Sequence, residues 1–398
     1  MKRSLLLALS LAAFLAAVAA PARHIARAQA PSSDVDRSSA NTQGAGRKYA
    51  DRLDPFLARA MRDDNIPGLA VGVVEDGQLV YSRGLGVMKL GDPSHPVTKE
   101  TLFHMASITK PFVATAVMQL VEQGKVDLDA PVIKYVPYFQ VADPRYKTIT
   151  VRQMLTHTSG MPDVDNYFWD KPEYDDGSLE RYVRSLADKR LRWEPGSKFA
   201  YSNMAFEVLG DLVAKVSGTT FENYVQNNIL KPLKMTSSTL LLKDADASKI
   251  AAGHTSGADG QVKTIAHYPY NRAHTPSSNL ESNVVDMARW IMVNLDHGQL
   301  DGRTILKRST HELMWTPAAE VGRGAHVGIS WFLEENKGES FVTHSGGDDG
   351  FLTDLILMPK RKIGVVIMTN CDRVKLRPIS SAALRTALGW DENGKSGI

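Results

Sequence analysis

Three short elements of this 398-residue chain carry side chains able to attack a carbonyl carbon. The first is Ser107-Ile108-Thr109-Lys110, the one Ser-x-x-Lys in the sequence. A helical run follows from Pro111, and positions i and i+3 at a helix start lie on one face, about one turn apart. Serine becomes a nucleophile when a neighbouring base takes its proton. Lysine can be that base when desolvation and nearby cations lower its pKa from about 10.4. A helix N-terminus adds backbone N–H groups and the positive end of the dipole. Taken alone, the same spacing also describes an N-capping serine beside a solvated lysine.

The second element is Tyr201-Ser202-Asn203, the one Tyr-x-Asn among twelve tyrosines. In an extended segment i and i+2 face the same way, so phenol and amide can enter one cleft. The phenol can relay a proton and the amide can hold a lysine or a substrate carbonyl. Tyr201 packed under a turn, with Asn203 as a helix N-cap, fits the same residues. The third element, His344-Ser345-Gly346-Gly347, opens the C-terminal strand pair. Its glycines permit close backbone approach, and the N–H of Gly347 can join that of Ser107 as an oxyanion hole. Lys395-Ser396-Gly397 is a decoy at the chain end with no strand pattern around it.

The elements that must position these groups are legible as periodicity. Leu53, Phe56, Leu57, Ala60 and Met61 form one stripe of a helix over 47–61. Two β-rich runs flank Asp76-Gly77, a type I′ turn pair, and predict a hairpin. The segments 351–358 and 363–370 read as strands, with a helix over 378–388. Between the ends lie helical patterns at 111–123, 150–156, 178–188, 203–217, 221–229 and 284–296. The expected fold is α/β (α+β): an antiparallel sheet built from both termini and flanked by helices, with an inserted, mostly α-helical lobe. The α/β lobe takes 47–105 and 320–390, the helical lobe 106–319, and 391–398 is a tail. A cleft between two such lobes is the default place for a site.

Composition narrows the function classes. With 43% hydrophobic and 23% charged residues the chain is neither disordered nor fibrous. Its single cysteine, Cys371, excludes an internal disulfide and a multi-cysteine metal site, and reads as a small buried apolar residue. The net charge of +3 owes everything to Lys2, Arg3, Arg23 and Arg27, so no basic face is left for nucleic acid. Eleven histidines show no ligand spacing and His-Glu-x-x-His is absent, so neither metal nor cofactor is expected. No serine has glycine at both −2 and +2.

Residues 1–30 combine a basic start, an apolar stretch from Leu5 to Ala20 and Ala-x-Ala sites ending at Ala19 and Ala30. This is a secretory signal pattern, too short at about 16 apolar residues for a 30 Å bilayer core. The expected mature protein is exported, periplasmic or secreted, with no membrane span after cleavage. Residues 31–46 read as a flexible leader.

In order and placement, Ser107/Lys110, Tyr201/Asn203 and His344/Gly346 resemble the serine β-lactamase and penicillin-binding-protein superfamily. The likeness is to its branch of class C β-lactamases, secreted DD-peptidases and related esterases. LFHMASITKPF, ITVRQMLTHTSGMPD, WEPGSKFAYSN, ILKPLKM and HSGGDDGF also look like that family's segments, over about 50–390. The resemblance implies that Ser107 is acylated, that Lys110 and Tyr201 share the proton work, and that Asn203 orients Lys110 and the acyl amide. It assigns the oxyanion to the N–H groups of Ser107 and Gly347, and makes His157-Thr158-Ser159-Gly160 a structural loop.

One departure matters. The β-lactamases usually carry lysine where this chain has His344, and a neutral histidine is a poorer anchor for a substrate carboxylate. Asp348 and Asp349 follow the third element and could sit at the cleft mouth, where they would disfavour anionic substrates. Tyr167, Phe168 and Trp169 either line the cleft or pin a surface loop to the core. The expected activity is an acyl-enzyme serine hydrolase on an ester, a β-lactam or a D-amino-acid amide. Its alternative is a non-catalytic or acyl-trapping cell-wall protein.

Overall fold

The computed structural model describes residues 43–257 and 259–390. The signal pattern at 1–30 and the tail at 391–398 lie outside the described residues. Eight antiparallel strands form one sheet: β1 (Gly68–Glu75), β2 (Gln78–Gly86), β3 (Ala319–Gly322), β4 (Ala325–Val327), β5 (Phe332–Asn336), β6 (Glu339–Asp348), β7 (Phe351–Met358) and β8 (Ile363–Thr369). Their order across the sheet is β2-β1-β8-β7-β6-β5-β4-β3. The N-terminal hairpin joins the C-terminal strands where β1 pairs with β8, with Val73 opposite Val365.

The helices that matter here are α1 (Gln43–Asp63), α2 (Thr109–Glu122), α3 (Val151–Leu155), α4 (Ser178–Ser185), α5 (Asn203–Ser217), α6 (Val284–Leu295) and α7 (Leu376–Leu388). Helix α1 begins at Gln43, so residues 43–46, read as leader, are helical in backbone.

Strands β1 and β8 are apolar on both faces because both faces are covered. Leu69, Val71, Val73, Val365 and Ile367 pack with Leu53 and Leu57 of α1 and Ile379 and Ala383 of α7. The alternate residues Ala70, Val74, Val366 and Met368 belong to the larger core with Met287, Trp290 and Ile291 of α6. Helix α6 can lie this close because β8 offers Gly364, where a Cβ would stand 2.2 Å from Ile291 Cγ2. Although its sequence lies inside the span assigned to the helical lobe, α6 is a sheet helix.

The helical lobe is built around α2 and α5, both buried along most of their length. Phe112 of α2 stacks on Trp290 at 3.8 Å between centroids, joining the lobe to the sheet helix. Thr150 and Gln153 form a reciprocal capping box on α3, and Gly218 ends α5 in the left-handed region. Among the described residues no helix is long and apolar enough to cross a membrane.

The sheet extends further than its apolar runs predict. Strands β3, β4 and β5 are only three to five residues long, and β3 and β5 are partly exposed, so they show little hydrophobic alternation. Their turns use Arg323-Gly324 and Lys337-Gly338, all four with positive φ. These are type I′ geometries made without the Asn or Asp that usually announces them.

Candidate active site

Ser107 lies where the sheet meets the helical lobe, and the chain leading to it is fixed at every step. Phe103 and His104 pair with Ser282 and Glu281. The Met105 N–H donates to Leu280 O at 2.8 Å, and Thr353 Oγ1 of β7 donates to Met105 O at 2.9 Å. Ala106 then takes φ +48, a left-handed conformation that costs a non-glycine residue about 1–3 kcal/mol. Thr109 holds it there: its hydroxyl donates to Ala106 O at 2.7 Å and accepts from Leu280 N at 3.0 Å. The turn Ala106–Ile108 runs straight into α2, presenting the Ser107 hydroxyl at the helix start.

Two groups converge on that hydroxyl. Lys110 Nζ donates to Ser107 Oγ at 2.9 Å, and the Tyr201 hydroxyl, encoded 94 residues away, donates to it at the same distance. Lys110 is fully buried, with a second bond to Ser277 O at 2.8 Å and its ammonium 5.0 Å from the Tyr201 ring centre. Burial lowers its pKa to about 8, against the pull of the Glu207, Asp163 and Asp348 carboxylates. The Tyr201 phenol is raised by burial; its bond with Ser107 lowers it, and the same three carboxylates raise it further.

Tyr201 is held by stacking. The buried His157 ring lies 4.2 Å from it at 24°, and His157 Nδ1 accepts from Ser202 N at 3.1 Å. Burial, then the charge of Lys110, holds His157 well below its usual pKa, so a neutral ring backs the phenol. Ser202, not Asn203, caps α5, accepting from Ala205 N at 3.1 Å. The Asn203 amide donates to Asp163 Oδ1 at 2.8 Å, and its own N–H does so at 2.9 Å. The task of holding Lys110, expected of Asn203, falls to the Ser277 carbonyl.

His344, Gly346 and Gly347 line the end of β6. Pairing with β5 stops at Thr343, whereas pairing with β7 continues to Asp348, which leaves one edge of this stretch to the Ser107 turn. Gly346 is the point of contact: a Cβ there would stand 2.2 Å from Met105 O and 3.1 Å from Ser107 N. Gly347 follows on the same strand. His344 is buried with its ring against Phe332, and its Nδ1 pairs with Ser345 O at 2.9 Å. Since a carbonyl accepts, the proton sits on Nδ1, leaving Nε2 a buried acceptor without a partner. Burial and the Lys110 charge lower this imidazole to about 3.

Asp348 is not at the cleft mouth. Its Oδ2 pairs with His104 Nε2 at 2.9 Å and accepts from Ser278 Oγ, so the residue faces inward; Asp349 is exposed. No sequence signal gives Asp163, Ser277 or His104 a role, although His104 and Asp163 lie within the family-like segments. Asp163 follows the His157–Gly160 loop by three residues, but nothing local marks it as the partner of Asn203.

Of the two readings of the aromatic segment, the contacts support the pinned surface loop. Tyr167 stacks on Trp169 at 5.1 Å and its carbonyl accepts from Asn271 Nδ2 at 2.9 Å, pinning the loop, while Phe168 is exposed. Trp169 and Tyr174 also line a cavity of about 300 Å³ with Tyr268 and Tyr270. Neither that cavity nor a larger groove of about 410 Å³, bounded by Asp176, Lys215 and Arg272, contains any of the site residues. Among the described residues no group of three or more His, Cys, Asp or Glu side chains could hold a metal ion.

A serine clasped by lysine and tyrosine, with a glycine-lined strand beside it, is the arrangement the fold builds where sheet and helical lobe meet. Similarity to known proteins names the family. The model of the Beta-lactamase family matches residues 53–386, and the chain belongs to that family. Protein flp of Staphylococcus aureus (strain MRSA252) is 28% identical over 320 residues, 80% of this chain and 62% of that protein. The chain thus spans less than two thirds of that relative. Penicillin-binding protein 4 of Amycolatopsis lactamdurans is 27% identical over 323 residues, 77% of this chain and 82% of that one. Among solved structures, the octameric penicillin-binding protein homologue from Pyrococcus abyssi superposes with a TM-score of 0.75 and 28% identity. That match covers 86% of this chain and 78% of the other. The penicillin binding protein from Bacillus halodurans gives 0.68 and 25%, covering 82% and 97%.

Proposed function

We propose that this chain is an exported serine hydrolase that cleaves ester or amide bonds through an acyl-enzyme on Ser107, favouring substrates without a carboxylate to anchor. The observation that carries this is the clasp on one hydroxyl, with Lys110 Nζ and Tyr201 Oη each 2.9 Å from Ser107 Oγ. With Lys110 neutral, its lone pair takes the Ser107 proton as Oγ attacks the carbonyl carbon. The C=O electron pair moves onto oxygen, which the N–H groups of Ser107 and Gly347 receive; one such donor is typically worth about 3–4 kcal/mol. The carbonyl then reforms, the C–O or C–N bond breaks, and the proton passes from Lys110 through Tyr201 to the departing atom. Water repeats the sequence on the acyl-enzyme, releasing the acid and restoring Ser107. Burial raises the Tyr201 phenol, so it stays protonated and can pass a proton on while Lys110 acts as the base.

The charge preference comes from His344. It stands where the β-lactamases usually carry lysine, and its neutral ring supplies no positive charge. The Glu207, Asp163 and Asp348 carboxylates act on the same space. A neutral ester meets none of the repulsion that a penicillin or a D-alanyl-D-alanine terminus meets.

The test is a panel of p-nitrophenyl butyrate, a chromogenic cephalosporin and a D-alanyl-D-alanine peptide, run beside Ser107→Ala. Ester turnover at least a thousandfold above the variant, with the two anionic substrates slower, is the expected result. A stoichiometric mass adduct without turnover replaces the hydrolase with an acyl trap, and neither signal leaves a scaffold. Export rests on residues 1–30 and is tested by N-terminal sequencing of the secreted protein. An uncleaved, retained chain overturns it.

A further inference from the structure

His104 lies three residues before Ser107 and both of its ring nitrogens face carboxylates. Nδ1 is 3.1 Å from Glu281 Oε1 and Nε2 is 2.9 Å from Asp348 Oδ2. Neither His104 nor Glu281 has any exposed side chain, and Asp348 has 9%. A carboxylate only accepts, so satisfying both contacts requires a proton on each nitrogen. The carboxylates are themselves held: Tyr268 donates to Glu281 Oε2 at 2.8 Å and Ser278 donates to Asp348. Tyr268 and Phe351 close over the ring at 6.0 and 5.8 Å between centroids. Burial alone would lower the imidazole; the bonds to Asp348 and Glu281 outweigh it and lift its pKa to about 9.

The three segments that meet on this ring are those that build the site. His104 leads into the Ser107 turn. Asp348 directly follows Gly347. Ser278 follows Ser277, whose carbonyl holds Lys110. We propose that His104, as an imidazolium bridging Asp348 and Glu281, is a positioning residue for the oxyanion hole, fixing the N–H of Ser107 against the β6 edge that carries Gly347. This rests on the reading of Ser107 as the acylated nucleophile. The ring touches neither substrate nor the reacting hydroxyl. Its effect is to keep two backbone donors in register, and a displacement of about 1 Å in such a site can cost a hundredfold in rate. Without the imidazolium, Asp348 and Glu281 are two buried carboxylates sharing one pocket, and the β6 edge is driven off the turn.

The test compares wild type with His104→Asn and with His104→Lys, which restores a cation. Three measurements are made: kcat and KM on p-nitrophenyl butyrate, affinity for phenylboronic acid, and the infrared carbonyl stretch of the acyl-enzyme formed with a cinnamoyl ester. A boronic acid forms a tetrahedral adduct on Ser107 and reads the oxyanion hole directly. In His104→Asn the expected result is a fall in kcat of about a hundredfold with KM within threefold. Boronate affinity should fall by a similar factor, the carbonyl stretch should move to higher wavenumber, and His104→Lys should recover part of each. A boronate affinity and carbonyl frequency equal to wild type overturn the proposal, whatever happens to kcat. Should His104→Asn fail to fold, Asp348→Asn takes its place in all three measurements, and the same two wild-type values overturn the proposal. A wild-type protein that forms no adduct with either ester overturns the nucleophile reading itself. Adduct formation with an unmoved variant overturns only the role of His104.

Discussion

Lys110 and Ser107 stand one helical turn apart with 2.9 Å between Nζ and Oγ, and the lysine is sealed from solvent. Burial, the feature that makes the lysine costly, also fits it to the proposed role of base: a pKa near 8 leaves a useful neutral fraction at neutral pH.

The first expectation follows from that value. As the base must be neutral, kcat/KM for an ester should rise about tenfold per pH unit below a midpoint near 8 and then level. Above pH 9 it should fall as His104 loses its proton and the pocket shared by Asp348, Glu281, Ser278 and Tyr268 loses its cation. Lys110→Ala should reduce kcat/KM by about 10²–10⁴ and abolish the rising limb. A profile that is flat between pH 6 and 8 would remove Lys110 from the role of base.

Gly346→Ala tests the contact between β6 and the Ser107 turn. The new methyl would stand 2.2 Å from Met105 O and 2.5 Å from Thr353 Oγ1, so the strand must retreat. The expected outcome is a loss of about a hundredfold in kcat/KM with about 1–3 kcal/mol of stability, read by steady-state kinetics and urea unfolding. Activity within threefold of wild type would show that this edge does not frame the site.

His344 should leave no mark on the pH profile near 6.5, since its ring stays neutral down to about pH 3. His344→Lys places a second cation near Lys110. The base midpoint should then move below 8, and acylation by benzylpenicillin should quicken about tenfold relative to the ester. An unchanged ratio of the two rates would dissociate this position from substrate charge.

The residues of the clasp were legible because each sits in a short local pattern, and the hairpin because Asp76-Gly77 takes the positive φ values its type implies. Other features depended on partners remote in sequence. The pairing of Asn203 with Asp163 requires the His157–Gly160 loop to fold back on α5. His104 is a lone histidine until β6 and the Glu281 strand close around it. Asp348, read as a charge at the cleft mouth, points inward because the β6–β7 turn directs it onto His104. Strands β3 to β5 lacked a readable apolar alternation because they are three to five residues long, with β3 at the sheet edge and β5 partly exposed.

The same titrations shape stability. His104 has a folded pKa of about 9 against about 6.5 unfolded, so its stabilisation is complete below 6.5 and is lost as pH rises through 9. Lys110 has the opposite sense: folded near 8 and unfolded near 10.4, its penalty on the folded state is full below pH 8 and is relieved only as pH rises from there towards 10.4. Buried His157 and His344 are both lowered, so protonation in the unfolded chain costs stability below 6.5. Between 6.5 and 8 the slope is therefore that of His104 alone among these groups. Stability should peak near pH 6.5 and fall by roughly 1 kcal/mol per pH unit up to 8. Urea midpoints at half-unit intervals measure it: His104→Asn should flatten the fall while keeping the acid limb. A wild-type midpoint that climbs from pH 6.5 to 8 would mean that the ring is not an imidazolium in the folded protein.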